Sequence, residues 1–400
     1  ALKQLGSVEK VLKGGYTPIL YNQAINGVET GVQFLVGVKG GKGFLNYGFV
    51  ETKKYHYSVD LYDNNMKLIW NTIPAPETKE MLFAEASFQT DKYVGSTVVR
   101  KKNIMSKDFS YDLLISDIKT GKVVFNKEIT DAEYNLSASK ITFDEATNNI
   151  MVFGEYFNLK DKEAKADALG YFYLMLDQKG NVVQRKLISW VDDIGKYIPV
   201  SKSGKMEKNA RVFVHDIIRN ADGDVFVIGE QYKKTANGVG IAAAALSGGS
   251  RNGSLVNLVT LNMVILQFTS KLDIKGIHVF EKDKNVTMMP AGAEYWSPKM
   301  LANYGLSLGC FDFCYIQFLK DKSSFIVTFN NYIKEKGEKG QSVLSIVIYT
   351  PEKVFTSDKV TLNRNSTQCR VQKGKSGYVN VLEYRKKEKV LDSRLEKINY

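Results

Sequence analysis

The sequence predicts an all-β chain folded as a six-bladed β-propeller of four-stranded antiparallel blades. Three observations lead there: strand-like runs fill nearly the whole length, turn-forming pairs separate them, and a two-hairpin unit recurs six times. A chain of 400 residues is long for a single core unless the fold is built by repetition.

Hydrophobic residues make up 44% of the chain and aromatics 12%, with 22 Tyr and 21 Phe, which supplies a packed interior rich in strand-forming types. Only 7 Pro stand against 32 Gly, and the glycines cluster in short turn-like groups, so hairpins in one domain spanning 1–400 are expected. No long segment shows helical periodicity.

The first half of the unit reads apolar strand, polar turn, apolar strand. Its copies are Val32 to Val50, Leu82 to Val99, Ser139 to Tyr156, Val212 to Tyr232, Phe313 to Tyr332 and Gln368 to Tyr384. The second half is an alternating strand, a turn around Asp, Gly or Asn, and a shorter polar strand: Tyr55 to Ile73, Tyr111 to Ile129, Tyr171 to Ile188, Met263 to Glu281, Leu344 to Thr361 and the abbreviated Val390 to Tyr400. Two hairpins make a four-stranded blade, and the three-stranded last unit can be completed by an N-terminal strand, Tyr16 to Asn22, which would hide a sheet edge. A pair of β-sandwiches would also give many short strands, but it has no reason to repeat one unit six times.

Two segments leave the repeat. Residues 235–257 form a small-residue insertion containing Ala242 to Ala245, and residues 285–304 form a long inter-blade connection carrying Tyr295 and Trp296. Long loops on repetitive folds often line functional surfaces.

The net charge of +12 suggests polyanions, but the lysines recur singly along the hairpins and the densest runs contain glutamates, so a solvated surface is expected and nucleic acid is not. The three cysteines, Cys310, Cys314 and Cys369, form no close pair; buried free thiols are favoured over a disulfide from Cys369 to one of the others. The sequence opens at Ala1 without an initiator Met or a bilayer-length apolar run, which gives the expectation of a secreted or periplasmic protein whose signal peptide has been removed.

The stretch Asn220-Ala221-Asp222-Gly223-Asp224-Val225-Phe226-Val227-Ile228-Gly229 resembles the strand-turn-strand phrase of bacterial propeller repeats, and Asn149 to Gly154 and Asp91 to Gly95 are similar. The chain as a whole resembles exported bacterial propeller-like proteins of unknown function. That resemblance implies shape and location and carries no catalytic residues.

His56, His215 and His278 are isolated within strand-like runs and read as structural, and no local catalytic motif is present. Asp222-Gly223-Asp224 reads as a hairpin turn rather than a calcium loop, so neither metal nor cofactor is expected. If connections between units and between half-units emerge on one face, that face gathers Trp190, Asp192, Asp193 and Tyr197 from one connection and Glu294, Tyr295 and Trp296 from the next. Aromatic rings beside carboxylates suit stacking on sugar rings or gripping a peptide; the competing reading has them packing the connections onto the blades. The expected function is a monomeric, exported, non-catalytic binding module for a glycan, peptide or envelope protein. The alternative is a polysaccharide hydrolase or lyase with carboxylates at the channel mouth.

Overall fold

The structure, a computed structural model, describes Ser7 and residues 35–51, 55–75, 77–103, 106, 109–161, 166–246, 255–333, 340–363, 366 and 368–399. The chain divides into two compact units, one of Ala1–Asn209 with Gly292–Leu308 and the other of Ala210–Ala291 with Gly309–Tyr400. The described strands form six antiparallel sheets. The expected closing strand, Tyr16 to Asn22, lies outside the described residues.

In the first unit the sheets are consecutive four-stranded meanders. They are β1–β4 (Leu35–Gly37, Phe44–Glu51, Tyr55–Tyr62, Leu68–Thr72), β5–β8 (Met81–Gln89, Tyr93–Lys101, Phe109–Asp117, Val123–Glu128) and β9–β12 (Tyr134–Asp144, Asn149–Asn158, Gly170–Leu176, Val182–Ser189). The second unit holds β13–β16 (Arg211–Arg219, Val225–Ala236, Val256–Phe268, Ile274–Phe280) with β17 (Asn285–Met288) added along β15. It continues with β18–β21 (Phe313–Phe318, Phe325–Ile333, Gln341–Thr350, Val354–Thr361) and the three-stranded β22–β24 (Gln368–Lys373, Tyr378–Arg385, Val390–Lys397).

The middle strands are apolar on both faces, and alternation sends successive side chains to different neighbours. In β7, Leu114 packs with Tyr57 and Leu61 of the first sheet. Leu113 and Ile115 join Ile150 and Phe172 of the third. In β19, likewise, Phe325 and Val327 meet Phe226 and Ile265 on one side, while Ile326 joins Val379 and Val381 on the other. Each such side chain contributes about 1.5–3 kcal/mol by leaving water.

The sheets also share irregularities. Between the first two strands the register skips one residue of the first strand: Glu85 in β5, Ser139 in β9, His215 in β13 and Cys314 in β18. Such a bulge re-aims the extra side chain. Adjacent sheets of the first unit are clasped by a repeated contact, in which an aromatic ring of the fourth strand lies against the turn glycine of the next sheet. Trp70 lies against Gly121, and Phe125 against Gly180. The Trp70 indole N–H donates to Ile118 O at 2.9 Å, and Thr72 and Lys127 donate to the Gly121 and Gly180 carbonyls at 2.7 and 2.8 Å.

Both departures from the repeat contain helix, which the sequence reading treated as loop. Gly238–Leu246 forms α1 at the tip of the long β14–β15 hairpin, and its run of alanines, the best helix formers, accounts for it. Pro298–Ser307 forms α2, started by Pro298 in the first turn and by Ser297, whose side chain accepts from Met300 N. No helix among the described residues is long and apolar enough to cross a membrane.

Gly121 has φ of +70° and a Cβ there would stand 2.7 Å from the Trp70 ring, so Gly121→Ala combines backbone strain with a clash. The expected loss is about 1–3 kcal/mol in urea unfolding. Gly41→Ala, also at positive φ but with open space around it, is expected to lose less.

Candidate functional site

All seven residues expected to bind ligand fall in the first unit. Trp190 follows β12 and is buried; its indole N–H donates to Ala168 O at 2.8 Å and its ring meets Tyr171 edge-on at 4.5 Å. Asp192 and Asp193, in the turn that follows, reach back to the end of β12: Asp193 Oδ2 accepts from Ser189 N at 2.8 Å and Asp192 Oδ2 accepts from Ser189 Oγ at 3.1 Å. This turn also reaches Tyr156, whose hydroxyl pKa is pushed up by burial and then by Tyr134 and the two aspartates, against a hydrogen bond with Ser189. Asp192 and Tyr197 lie at the surface, Tyr197 at 46% exposure.

Glu294, Tyr295 and Trp296 occupy the turn that leads into α2. Glu294 Oε2 accepts from Gly292 N at 3.0 Å, Trp296 is half-buried and edge-on to Tyr304 at 5.0 Å, and Tyr295 stands 71% exposed. Lys299 fixes this helix to the sheets. Its ammonium donates to Tyr111 Oη and Ser137 Oγ, each at 2.8 Å, and Glu85, the bulged residue of β5, has a carboxylate oxygen 3.8 Å away.

The second unit holds a buried cluster that the sequence reading missed. The Lys282 side chain has 0% exposure, and its ammonium lies 2.6 Å from Asp312 Oδ2 and 3.2 Å from Glu230 Oε1. Glu230 is surrounded by donors: His215 Nε2 lies 3.3 Å from Oε2, and the Asp312 and Phe313 backbone N–H groups donate to Oε2 at 3.0 and 3.3 Å. Burial pushes the Glu230 carboxyl pKa up, but His215 and Lys282 outweigh it and leave the group below the ordinary carboxylate range. Asp312 goes the other way, because burial outweighs the Lys282 ammonium.

Aromatic rings pack around His215. His215 stacks on Phe313 at 4.6 Å and meets Phe311 edge-on at 5.2 Å, while Phe213 stacks on Phe311 at 4.6 Å. Two strands and two connections supply the cluster: the bulge in β13 turns His215, β14 brings Glu230 within its buried run, Lys282 follows β16, and Asp312 precedes β18. Two acids and an amine so placed interact in a medium of low dielectric, where their pairing counts for more than in water.

Elsewhere, the carboxylates of Asp222 and Asp224 are engaged by Ser323 and Lys275 at 3.0 and 2.7 Å within a hairpin turn whose Gly223 has φ of +90°. The three cysteines are free; Cys310 is buried, Cys314 half-buried and Cys369 exposed, so the expectation of buried thiols fails at Cys369, which sits on the exposed first strand of the last sheet.

The model of a family described as "Family of unknown function (DUF6770)" matches residues 8–399. No curated protein matches the chain. Among solved structures the chain is similar to the GH93 α-L-arabinofuranosidase of Fusarium graminearum in complex with arabinobiose, at 8% identity over 91% of each chain with a TM-score of 0.39. It is also similar to the β-propeller domain of the Trilobed protease from Pyrococcus furiosus, at 10% identity over 92% of this chain and 85% of that one with a TM-score of 0.35. A third is Bacillus subtilis levansucrase, at 10% identity over 81% and 85% with a TM-score of 0.33.

Because Glu230 is held below its ordinary pKa, its contribution to stability is present above the unfolded carboxylate value and is lost as pH falls through the folded one. Glu230→Gln should therefore unfold about 3–5 kcal/mol more easily at neutral pH and show a shallower decline on acidification. Urea unfolding of both proteins between about pH 3 and about pH 7 measures it, and equal stability at neutral pH would contradict this account.

Proposed function

Because the chain belongs to the Family of unknown function (DUF6770), we propose a function from its site alone: a non-catalytic binding module that holds a glycan or a peptide on the aromatic and acidic loops of its first unit. The observation that carries this reading is the exposure of Tyr295 at 71%, directly after Glu294, and of Tyr197 at 46%, at the end of the short turn that Asp193 opens. Large rings are ordinarily covered, and a ring left in water beside carboxylates offers a stacking face and hydrogen-bond acceptors together. Trp190, Asp193 and Trp296 serve this surface from beneath by fixing the turns that present Asp192, Tyr197, Glu294 and Tyr295.

The hydrolase reading needs two carboxyl groups open to substrate on either side of a scissile bond. Glu230 and Asp312, the acids that share one ammonium, do not meet that need, since Glu230 is fully buried and its oxygens face His215, Lys282 and backbone donors.

The six sheets are, in this proposal, the six blades of one propeller domain. The recurring meander, the bulge shared by four first strands and the repeated ring-on-glycine clasp support that reading, because a repeated unit that buries both faces against like units is what the architecture requires.

A glycan and peptide array probed with wild type, Tyr197→Ala and Tyr295→Ala tests the binding reading. Wild type should bind selectively, and each variant should bind about tenfold or more weakly while unfolding at the wild-type temperature. No binding by folded wild type, or undiminished binding by both variants, would remove the basis for this site.

A further inference from the structure

We propose that Lys282 and Asp312 are joined by an intramolecular isopeptide bond, formed by the folded protein itself with Glu230 as the proton-transferring group. In the second unit an amine with no solvent exposure lies 2.6 Å from one carboxyl oxygen and 3.2 Å from another, and the second acid, Glu230, also meets His215, whose ring is packed by Phe311 and Phe313. A fixed contact of that kind replaces a bimolecular encounter, and effective molarities of about 10⁵–10⁸ M make amide formation accessible to groups that do not react in dilute water.

An ordinary buried ion pair is the competing account. It is an expensive one here, because two carboxylates and an ammonium must leave water together, and their attraction in a protein interior often does no more than offset that cost. Proton transfer from the Lys282 ammonium to Asp312 replaces the charged pair by a neutral amine and a neutral acid, which are the reactive forms. Burial already favours the protonated acid at Asp312.

The step balances without a co-reactant. The Lys282 Nζ lone pair attacks Asp312 Cγ, the C–N bond forms, and Glu230 Oε1 takes one amine proton. That proton leaves with the Asp312 hydroxyl as the C–O bond breaks, so an ammonium and a carboxylate become one amide and one water. Glu230 is held for this task by the Asp312 and Phe313 N–H groups and by His215. The Asp312 side chain is 18% exposed, which gives the water a way out. The bond would tie the end of β16 to the entry of β18 across 30 residues of chain, closing covalently the excursion that contains β17 and α2.

Intact-mass measurement of the purified full chain, followed by peptide mapping, tests the proposal. Wild type should be lighter than its sequence by one water, with a branched peptide joining Lys282 to Asp312. Asp312→Asn preserves the shape of the site and should lose one ammonia instead, and Glu230→Gln should slow bond formation by at least about 100-fold. A wild-type mass equal to that of the sequence after prolonged incubation at neutral pH would overturn the bond, as would a water loss mapped to other residues. Bond formation at the wild-type rate in Glu230→Gln would overturn the role given to Glu230.

Discussion

A four-stranded sheet whose middle strands are apolar on both faces cannot stand in water, and this requirement organises the protein. All seven residues of β11 are buried, as are Val225 to Tyr232 of β14. Each sheet is therefore incomplete until a neighbour covers it, and the period-two alternation decides which neighbour a residue serves. Inter-sheet packing then leaves little room at the turns. The glycines that meet Trp70 and Phe125 sit where a Cβ would strike the ring, so local chain conformation and long-range burial are settled at the same positions.

The first-strand bulges show how a repeated scaffold acquires individual sites. A ladder skip at one position in four sheets releases four different side chains: a carboxylate, a hydroxyl, an imidazole and a thiol. Glu85 lies near the lysine that anchors α2, and His215 faces the most buried acid of the second unit. The same backbone irregularity thus serves helix anchoring in one unit and a buried ion-pair cluster in the other, with the sequence alone deciding which.

Much of the architecture was legible because alternation, turn pairs and repetition are local signals. The hairpin Ser139 to Tyr156 corresponds to β9–β10, Gln368 to Tyr384 to β22–β23, and the last sheet has the three strands that its shortened tail allowed. The helices were missed because α1 is a short run of small residues without amphipathic period, and α2 shows itself by Ser297-Pro298 rather than by a hydrophobic stripe. The buried cluster was illegible for a different reason: His215, Glu230, Lys282 and Asp312 are widely spaced and converge through strand pairing and a bulge. One signal was present, since Glu230 ends the apolar run Val225-Phe226-Val227-Ile228-Gly229, where a charge has to find a partner. Trp190 and Tyr295 could not be told apart by type, because burial of one and exposure of the other depend on Ala168, Tyr171 and Gly204 packing around Trp190 alone.

Lys299 meets Tyr111 across 188 residues of chain, and α2 belongs to the first unit although residues of the second precede and follow it. Order of synthesis follows from that. The three sheets of the first unit leave the ribosome well before the helix that completes them, so during translation their contact positions for α2 wait while β13 to β17 are still being made. The contacts of α2 with the first unit thus form only after β13 to β17 have been made, and their long separation in sequence adds to the entropy of closing them.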